Sequence, residues 1–265
     1  MKTTNPVLSR LGQAAERERA GGYQAGYGQP YPSAAGGYPA APPAVQPMTI
    51  DDVVVKTVIL LGIVGVAGAA AWNLVPDGLV RAAWIGAAVV GLVLGFIISF
   101  SRVANPALVV AYAVVEGAFV GLVSKFFEQY YPGIVVQAVT ATFGVFFLMA
   151  MLYKARVIRA TPKFARGLIA VMAGLFAVML INFVLSLFGF NTGLRSGGAV
   201  GIIFSLVCIV VASLSFILSF NEVEEGVRMG LPQRYSWTAA FGILVSLIWL
   251  YLEILRLISY FQGDD

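Results

Sequence analysis

Long apolar runs separated by short polar segments make up most of the chain after residue 48. A helix that crosses a bilayer needs about 20 consecutive apolar residues, and seven runs reach that length. The predicted helices cover about residues 52–75, 79–101, 106–127, 133–153, 165–188, 197–220 and 237–260. The pattern therefore predicts an all-α, polytopic membrane protein with seven transmembrane helices, of which we expect the last to be central.

The residues before the first run have a different composition. Positions 21–47 contain 22 Gly, Pro, Ala and Tyr residues among 27, and such a segment buries too little apolar surface to offset its ordering entropy. We therefore divide the chain into a disordered cytoplasmic tail, residues 1–47, and a transmembrane domain, residues 48–262. The tyrosines of the tail are open to two interpretations, a partner-binding segment or simple low complexity.

The amino-acid composition excludes several kinds of catalytic and metal-binding site. The chain is 59% hydrophobic and 11% charged, with a mean hydropathy of +0.87, and it contains one cysteine and no histidine. Nucleophile pairs that need histidine, and zinc sites built on histidine, are excluded. We expect no enzymatic activity, no cofactor and no nucleic-acid partner, although a mechanism with two carboxylates stays open.

Lysine and arginine are distributed unevenly between the predicted loops. If the segment 154–166 is cytoplasmic, alternation of the helices places 13 of these residues inside and 4 outside. Basic loops favour the cytoplasmic side of a membrane. We therefore expect a cytoplasmic N-terminus and an external C-terminus.

Two carboxylates lie deep inside predicted helices. Glu253 lies about 7 Å from the bilayer centre, where a charged carboxylate costs roughly 2 to 3 kcal/mol unless it has a partner. Glu116 lies at the middle of the third helix. We interpret both as residues of an ion pathway or of a shared cation site. The alternatives are an ion pair of Glu253 with Arg256, three residues later, and a protonated, hydrogen-bonded Glu116.

A second group of polar residues lies where the sixth helix leaves the membrane. Oxygen ligands of this kind suit calcium or another hard cation, although their spacing is not that of an EF-hand. For Glu224 and Glu225 we prefer an ordinary solvated helix end. The members of the group are Ser219, Asn221, Glu222, Glu224 and Glu225.

Glycines recur at spacings that allow two helices to approach closely. Without a hydrophobic force between helices in lipid, small residues let the backbones come together. The candidate close contacts are Gly62/Gly65/Gly68, Gly91/Gly95 and Gly117/Gly121.

Several segments together resemble the Bax inhibitor-1 family of seven-helix membrane proteins. The resemblance covers about residues 48–262 and is greatest to a prokaryotic branch that also begins with a short Asn-Pro-Val-Leu stretch, here Asn5 to Leu8. The segments that carry it are Tyr112-Ala-Val-Val-Glu-Gly117, Thr142-Phe-Gly-Val-Phe, Thr161-Pro-Lys-Phe164, Phe216-Ile-Leu-Ser-Phe-Asn-Glu-Val-Glu-Glu-Gly226 and Tyr251-Leu-Glu-Ile-Leu-Arg256.

The resemblance implies a calcium leak that is gated by pH. In the family, an acid late in helix six and an acid in helix seven form a latch that shares a proton, and an arginine after helix two pairs with the first acid. Here Glu253 takes the helix-seven position and Arg102 the arginine position. The acidic positions of helix six are occupied instead by Ser219 and Asn221. Glu222, about one turn after the serine, is the candidate replacement acid.

Together these observations predict a membrane cation leak channel, with calcium as the transported ion, in a bacterial-type plasma membrane. We expect modulation by pH through the buried carboxylates, with Glu253 and Glu222 as candidate metal ligands. The expected partners are the lipid bilayer and calcium or other cations. The alternative is a non-transporting regulator that binds other membrane proteins, such as a quality-control protease. The tail and the glycine-rich helix faces favour that alternative.

Overall fold

The computed structural model describes residues 46–101, 103–189, 193 and 198–263. Within this part of the chain, seven α-helices are long and apolar enough to cross a membrane, as the sequence predicted. A short 3-10 helix, Asp77–Leu79, precedes the second of them. The α-helices are α1 (Ile50–Leu74), α2 (Val80–Phe100), α3 (Pro106–Tyr130), α4 (Ile134–Lys154), α5 (Pro162–Leu187), α6 (Ala199–Arg228) and α7 (Tyr235–Gln262).

The predicted boundary between the sixth and seventh helices was wrong. Residues 221–236 were expected to form a long loop, but α6 continues to Arg228 and only residues 229–234 connect it to α7. The reason is tertiary packing, because Val223 and Gly226 turn the last part of α6 toward the core and both are buried. The polar residues between them lie on the other side of a continuous helix.

Helix α7 is the centre of the bundle. It packs against α1, α3, α4 and α6, whereas among the described residues α2 packs mainly on α3, and α5 packs mainly on α6. Its apolar residues Leu244, Leu250 and Leu255 are completely buried. The sequence-based expectation that the last helix is central is therefore confirmed.

Helices α1 and α3 make the closest contact in the bundle, and glycine makes it possible. A Cβ atom on Gly117 would lie 2.6 Å from the carbonyl oxygen of Val64, and one on Gly68 would lie 3.1 Å from the carbonyl oxygen of Gly117. The facing residue Gly121 lies directly against the backbone of Gly68. The two helices therefore touch through their backbones, with no side chain between them.

Other glycines with the same spacing do not bring two helix backbones into contact. A Cβ atom on Gly62 or Gly65 would meet nothing within 4 Å. Of the pair on α2, Gly91 lies against the carboxylate of Glu116 and Gly95 faces the ring of Tyr112 at 3.5 Å. The spacing alone therefore did not distinguish close backbone contacts from open positions.

The first helix is tied at its start to the loop between α6 and α7. Met48 donates its N–H to the carbonyl oxygen of Leu231 at 2.7 Å, and Gln233 donates its N–H to the carbonyl oxygen of Gln46 at 2.9 Å. We call this paired segment, residues 46–48 against residues 231–233, the clasp. Residues 46 and 47, which were assigned to the tail, thus belong to the bundle. Residues 1–45 lie outside the described residues, and their disorder stays a prediction.

Two side chains of α1 strengthen the clasp by contacting the α6–α7 loop and the start of α7. The amide of Gln233 donates to the carboxylate of Asp52 at 2.6 Å. The ammonium group of Lys56 hydrogen-bonds the hydroxyl of Ser236 and lies 5.4 Å from the centre of the Trp237 ring. A cation at this distance over an indole ring is stabilised electrostatically. These contacts fix the start of α1 against the start of α7.

Replacing Gly117 by alanine should destabilise the bundle. The added methyl group meets backbone atoms, which cannot move aside, so we expect a loss of about 1 to 3 kcal/mol, as for overpacked cores. Gly65→Ala is the matched control, because its methyl group enters open space and alanine is the better helix former by about 1 kcal/mol. Thermal unfolding in detergent measures both. Equal effects of the two substitutions would contradict the backbone contact.

Met48→Ala tests whether the clasp contributes to stability. The side chain of Met48 is only 3% exposed and packs near Gly226, so its truncation should cost about 2 kcal/mol or more. Ile50→Ala, two residues later, removes a side chain that is 54% exposed and should cost little. Both variants are compared with the native chain by thermal unfolding. If the two behave alike, the clasp does not hold the bundle together.

Candidate functional site

Glu253 lies inside the bundle and has a partner on its own helix. The residue is 2% exposed. Both of its carboxylate oxygens accept hydrogen bonds from Nη1 of Arg256, each at 2.9 Å. A separation of three residues places the two side chains on one face of α7. The ion pair expected as the alternative to a free carboxylate is therefore present.

The two members of this pair differ in their access to the surroundings. The side chain of Arg256 is 19% exposed, whereas that of Glu253 is 3% exposed. A long arginine side chain can bury its aliphatic part and still bring its charge to the edge of the protein. The carboxylate thus depends on the arginine for its counter-charge, while the arginine stays partly exposed at the edge of the bundle. A role of Glu253 in ion passage stays a prediction.

Hydroxyl groups fix α7 against two neighbouring helices. Ser215 of α6 donates to Ser246 of α7 at 3.1 Å, and the hydroxyl groups of Ser124 in α3 and Tyr251 in α7 lie 2.6 Å apart. Such bonds between membrane helices contribute on average about 0.6 kcal/mol each. Their main effect here is to define which residues of neighbouring helices lie at the same position along the axis of the bundle. We call this position the level of a residue.

The level of Ser219 does not coincide with that of Glu253. Helices α6 and α7 form an antiparallel hairpin, and Ser215 faces Ser246. Ser219 lies four residues from Ser215 toward the connecting loop, and Glu253 lies seven residues from Ser246 in the opposite direction. Roughly 16 Å of helix length therefore separates their levels. Ser219 instead donates its hydroxyl to the carbonyl oxygen of Ser215 at 3.3 Å.

The other candidate residues of α6 are also remote from Glu253. Asn221 is partly buried, and the next residue, Glu222, is exposed about one turn beyond Ser219 toward the loop. The expectation that Glu222 replaces the missing latch acid, or binds a metal together with Glu253, is therefore not met by this geometry. Among the described residues, no group of three acidic, cysteine or histidine side chains could hold a metal ion. Arg102 lies outside the described residues.

Glu116 occupies a separate position on the bundle. Its partly buried carboxylate lies against Gly91, between α3 and α2. The ring of Tyr112, one turn earlier, packs on Phe241 of α7 at 5.0 Å between ring centres. Since α3 and α7 run parallel, Glu116 lies roughly 12 Å along the bundle from the level of Glu253. The structure places the two acids at successive levels and does not bring them into one shared site.

Two charged residues that sequence reasoning missed organise the end of α3. The carboxylate of Glu128 accepts the N–H groups of Gly133 at 2.6 Å and Val135 at 3.1 Å, where α4 begins. Lys125 forms an ion pair with Asp77 at 2.8 Å. An acidic residue shortly before a helix start is the signal that could have revealed Glu128, because a helix N-terminus favours negative charge.

The described residues form a bundle of seven apolar helices, and the last of these is central and carries a buried ion pair. This arrangement defines a polytopic α-helical membrane protein. The family model described as Bax inhibitor 1 like matches residues 5–263. The chain therefore belongs to this family, and the resemblance seen in its sequence is confirmed. A search of curated proteins gave no match.

Substitution of Arg256 and substitution of Glu253 should destabilise the protein by different amounts. Arg256→Gln leaves a carboxylate buried without its counter-charge, and breaking a buried pair in this way costs about 3 to 5 kcal/mol. Glu253→Gln leaves an arginine that already reaches the edge of the bundle, so its cost should be smaller. Thermal unfolding of both variants in detergent measures the difference.

The double variant, Glu253→Gln with Arg256→Gln, is the control. Its destabilisation should be smaller than the sum of the two single effects, because neither charge is left alone. Additive effects would show that the two side chains do not interact.

Proposed function

We propose that this protein provides a leak pathway for cations, with calcium as the ion, along its central helix. The observation that carries the proposal is the buried carboxylate of Glu253 on α7, the helix that packs against α1, α3, α4 and α6. Ionisable groups in a membrane interior are costly and mark ion routes in many membrane proteins. Membership of the Bax inhibitor 1 like family supports the same function, because the family resemblance implies calcium leak.

In this proposal the ion pair is the closed state of the pathway. Arg256 occupies both oxygens of Glu253, and a passing cation needs those oxygens as ligands. Arg256 is partly exposed, so its side chain can move to the edge of the bundle when the ion pair opens. A proton on Glu253 releases the arginine as well. Protons and cations therefore compete for the same carboxylate, which makes the flux depend on pH.

The form of the pH dependence depends on how many carboxyl groups share a proton. Two carboxyl groups that share a proton titrate in two coupled steps, whereas one carboxyl group titrates in one. The level of Ser219 is remote from Glu253, and Glu222 lies still farther toward the α6–α7 loop. We therefore expect a pH response of the flux that is shallower than, or shifted from, that of a two-acid latch.

Calcium flux into liposomes that contain only this protein tests the proposal. Glu253→Gln keeps the shape of the side chain but removes its charge, so it should change the flux severalfold and abolish its pH dependence. Glu222→Gln, the same change at an exposed position, is the matched control and should leave both unchanged. If the native protein carries no calcium at any pH, the proposal fails and the regulator of other membrane proteins becomes the better interpretation.

We further propose that the protein lies in the plasma membrane with its N-terminus inside and its C-terminus outside. An odd number of crossings places the two ends of the bundle on opposite sides, and the excess of basic residues on the N-terminal side favours the cytoplasm for that side.

Cysteine labelling tests this orientation. Val157 and Phe261 are 67% and 59% exposed, and the native Cys208 is completely buried and should not react. A membrane-impermeant reagent added to intact cells should label Phe261→Cys and not Val157→Cys. Permeabilised cells control for reactivity, because both variants should then react. Labelling of both from one side of intact cells would exclude the proposed arrangement.

A further inference from the structure

The connection between α4 and α5 carries an unusual concentration of charge. Residues 154–166 contain five basic residues and no acidic residue. We call this segment the basic loop. All five basic side chains are exposed, and none forms an ion pair within the described residues. They are Lys154, Arg156, Arg159, Lys163 and Arg166.

The basic loop is held in place by its apolar residues. Ile158 and Phe164 pack against the main hydrophobic core. The hydroxyl of Thr161 accepts the N–H of Phe164 at 3.2 Å near the start of α5. Directly before Ile158, Val157 is left 67% exposed, next to Arg156. The loop therefore presents its charges, together with the large exposed apolar side chain of Val157, at the ends of two membrane helices.

Glu224 on the neighbouring helix α6 does not neutralise the loop. The carboxylate of Glu224 on α6 accepts a hydrogen bond from the hydroxyl of Tyr153 at 2.6 Å, and no ion pair joins it to the loop. A cytoplasmic preference for basic residues explains the sign of the charge. That preference does not by itself account for five exposed basic side chains on one short, anchored segment.

We propose that the basic loop binds the phosphate groups of anionic phospholipids in the surrounding bilayer. Clusters of four to eight Lys and Arg next to a membrane helix attract anionic lipid, and guanidinium groups bind phosphate oxygens in pairs. The ends of α4 and α5 hold these groups where lipid headgroups lie. The exposed Val157 matches the boundary between headgroups and acyl chains. The loop thus selects the lipid that surrounds this side of the bundle.

A fluorescent label at the loop measures the local lipid composition. The full chain carrying Val157→Cys is labelled and placed in liposomes of phosphatidylcholine and phosphatidylglycerol, because the buried Cys208 does not compete for the label. Quenching by phosphatidylglycerol with a quencher on its headgroup is compared with quenching by phosphatidylcholine that carries the same quencher. The matched reporter is Leu79→Cys, which is 58% exposed at the opposite end of the bundle.

We expect anionic lipid to be enriched at residue 157 and not at residue 79. Arg159→Gln should reduce the enrichment by up to about fivefold, the effect of one basic residue near an anionic surface. Arg81→Gln, an exposed arginine near the other reporter, should leave it unchanged. Higher potassium chloride should weaken the enrichment by screening.

Three outcomes would overturn the proposal. One is equal enrichment at both reporters, and another is enrichment that survives neutralisation of Arg156, Arg159 and Lys163. The third concerns free anions. If anionic lipid is not enriched at residue 157 but inorganic phosphate still binds the native chain, the loop is a site for soluble phosphate and not for lipid.

Discussion

A carboxylate that is sealed away from water needs a counter-charge, and α7 supplies one within a single turn of itself. Because Arg256 satisfies both oxygens of Glu253, the four neighbouring helices need to offer only apolar surface and a few hydroxyl groups. They can then close tightly around α7 without providing a buried charge of their own. The position of the last helix at the centre of the bundle depends on this self-contained pair.

The helices were predictable because the length of an apolar run is a local property. The end of α6 was not, because Val223 and Gly226 continue the helix only by packing into the core around Met48 and Leu231. The clasp has no sequence signature of its own. It arises where the start of α1 meets the α6–α7 loop, far away along the chain.

The same distinction separates the parts of the candidate site. The pair of Glu253 with Arg256 follows from a spacing of three residues on a helix and was foreseen as an alternative. The distance between Glu253 and Ser219 depends on the register of the α6–α7 hairpin, which a resemblance between sequences does not contain. Glycine spacing failed in a similar way, because Gly65 and Gly68 look alike until the position of α3 is known.

The backbone contact between α1 and α3 has a consequence for how this protein can vary. At most helix interfaces a larger residue on one side is accommodated by a smaller one opposite. Gly68, Gly117 and Gly121 leave nothing smaller to substitute, so even one added methyl group must change the distance between the helix axes. The residue sizes at these three positions in a homologue should therefore report the spacing of its first and third helices, independently of the rest of its sequence.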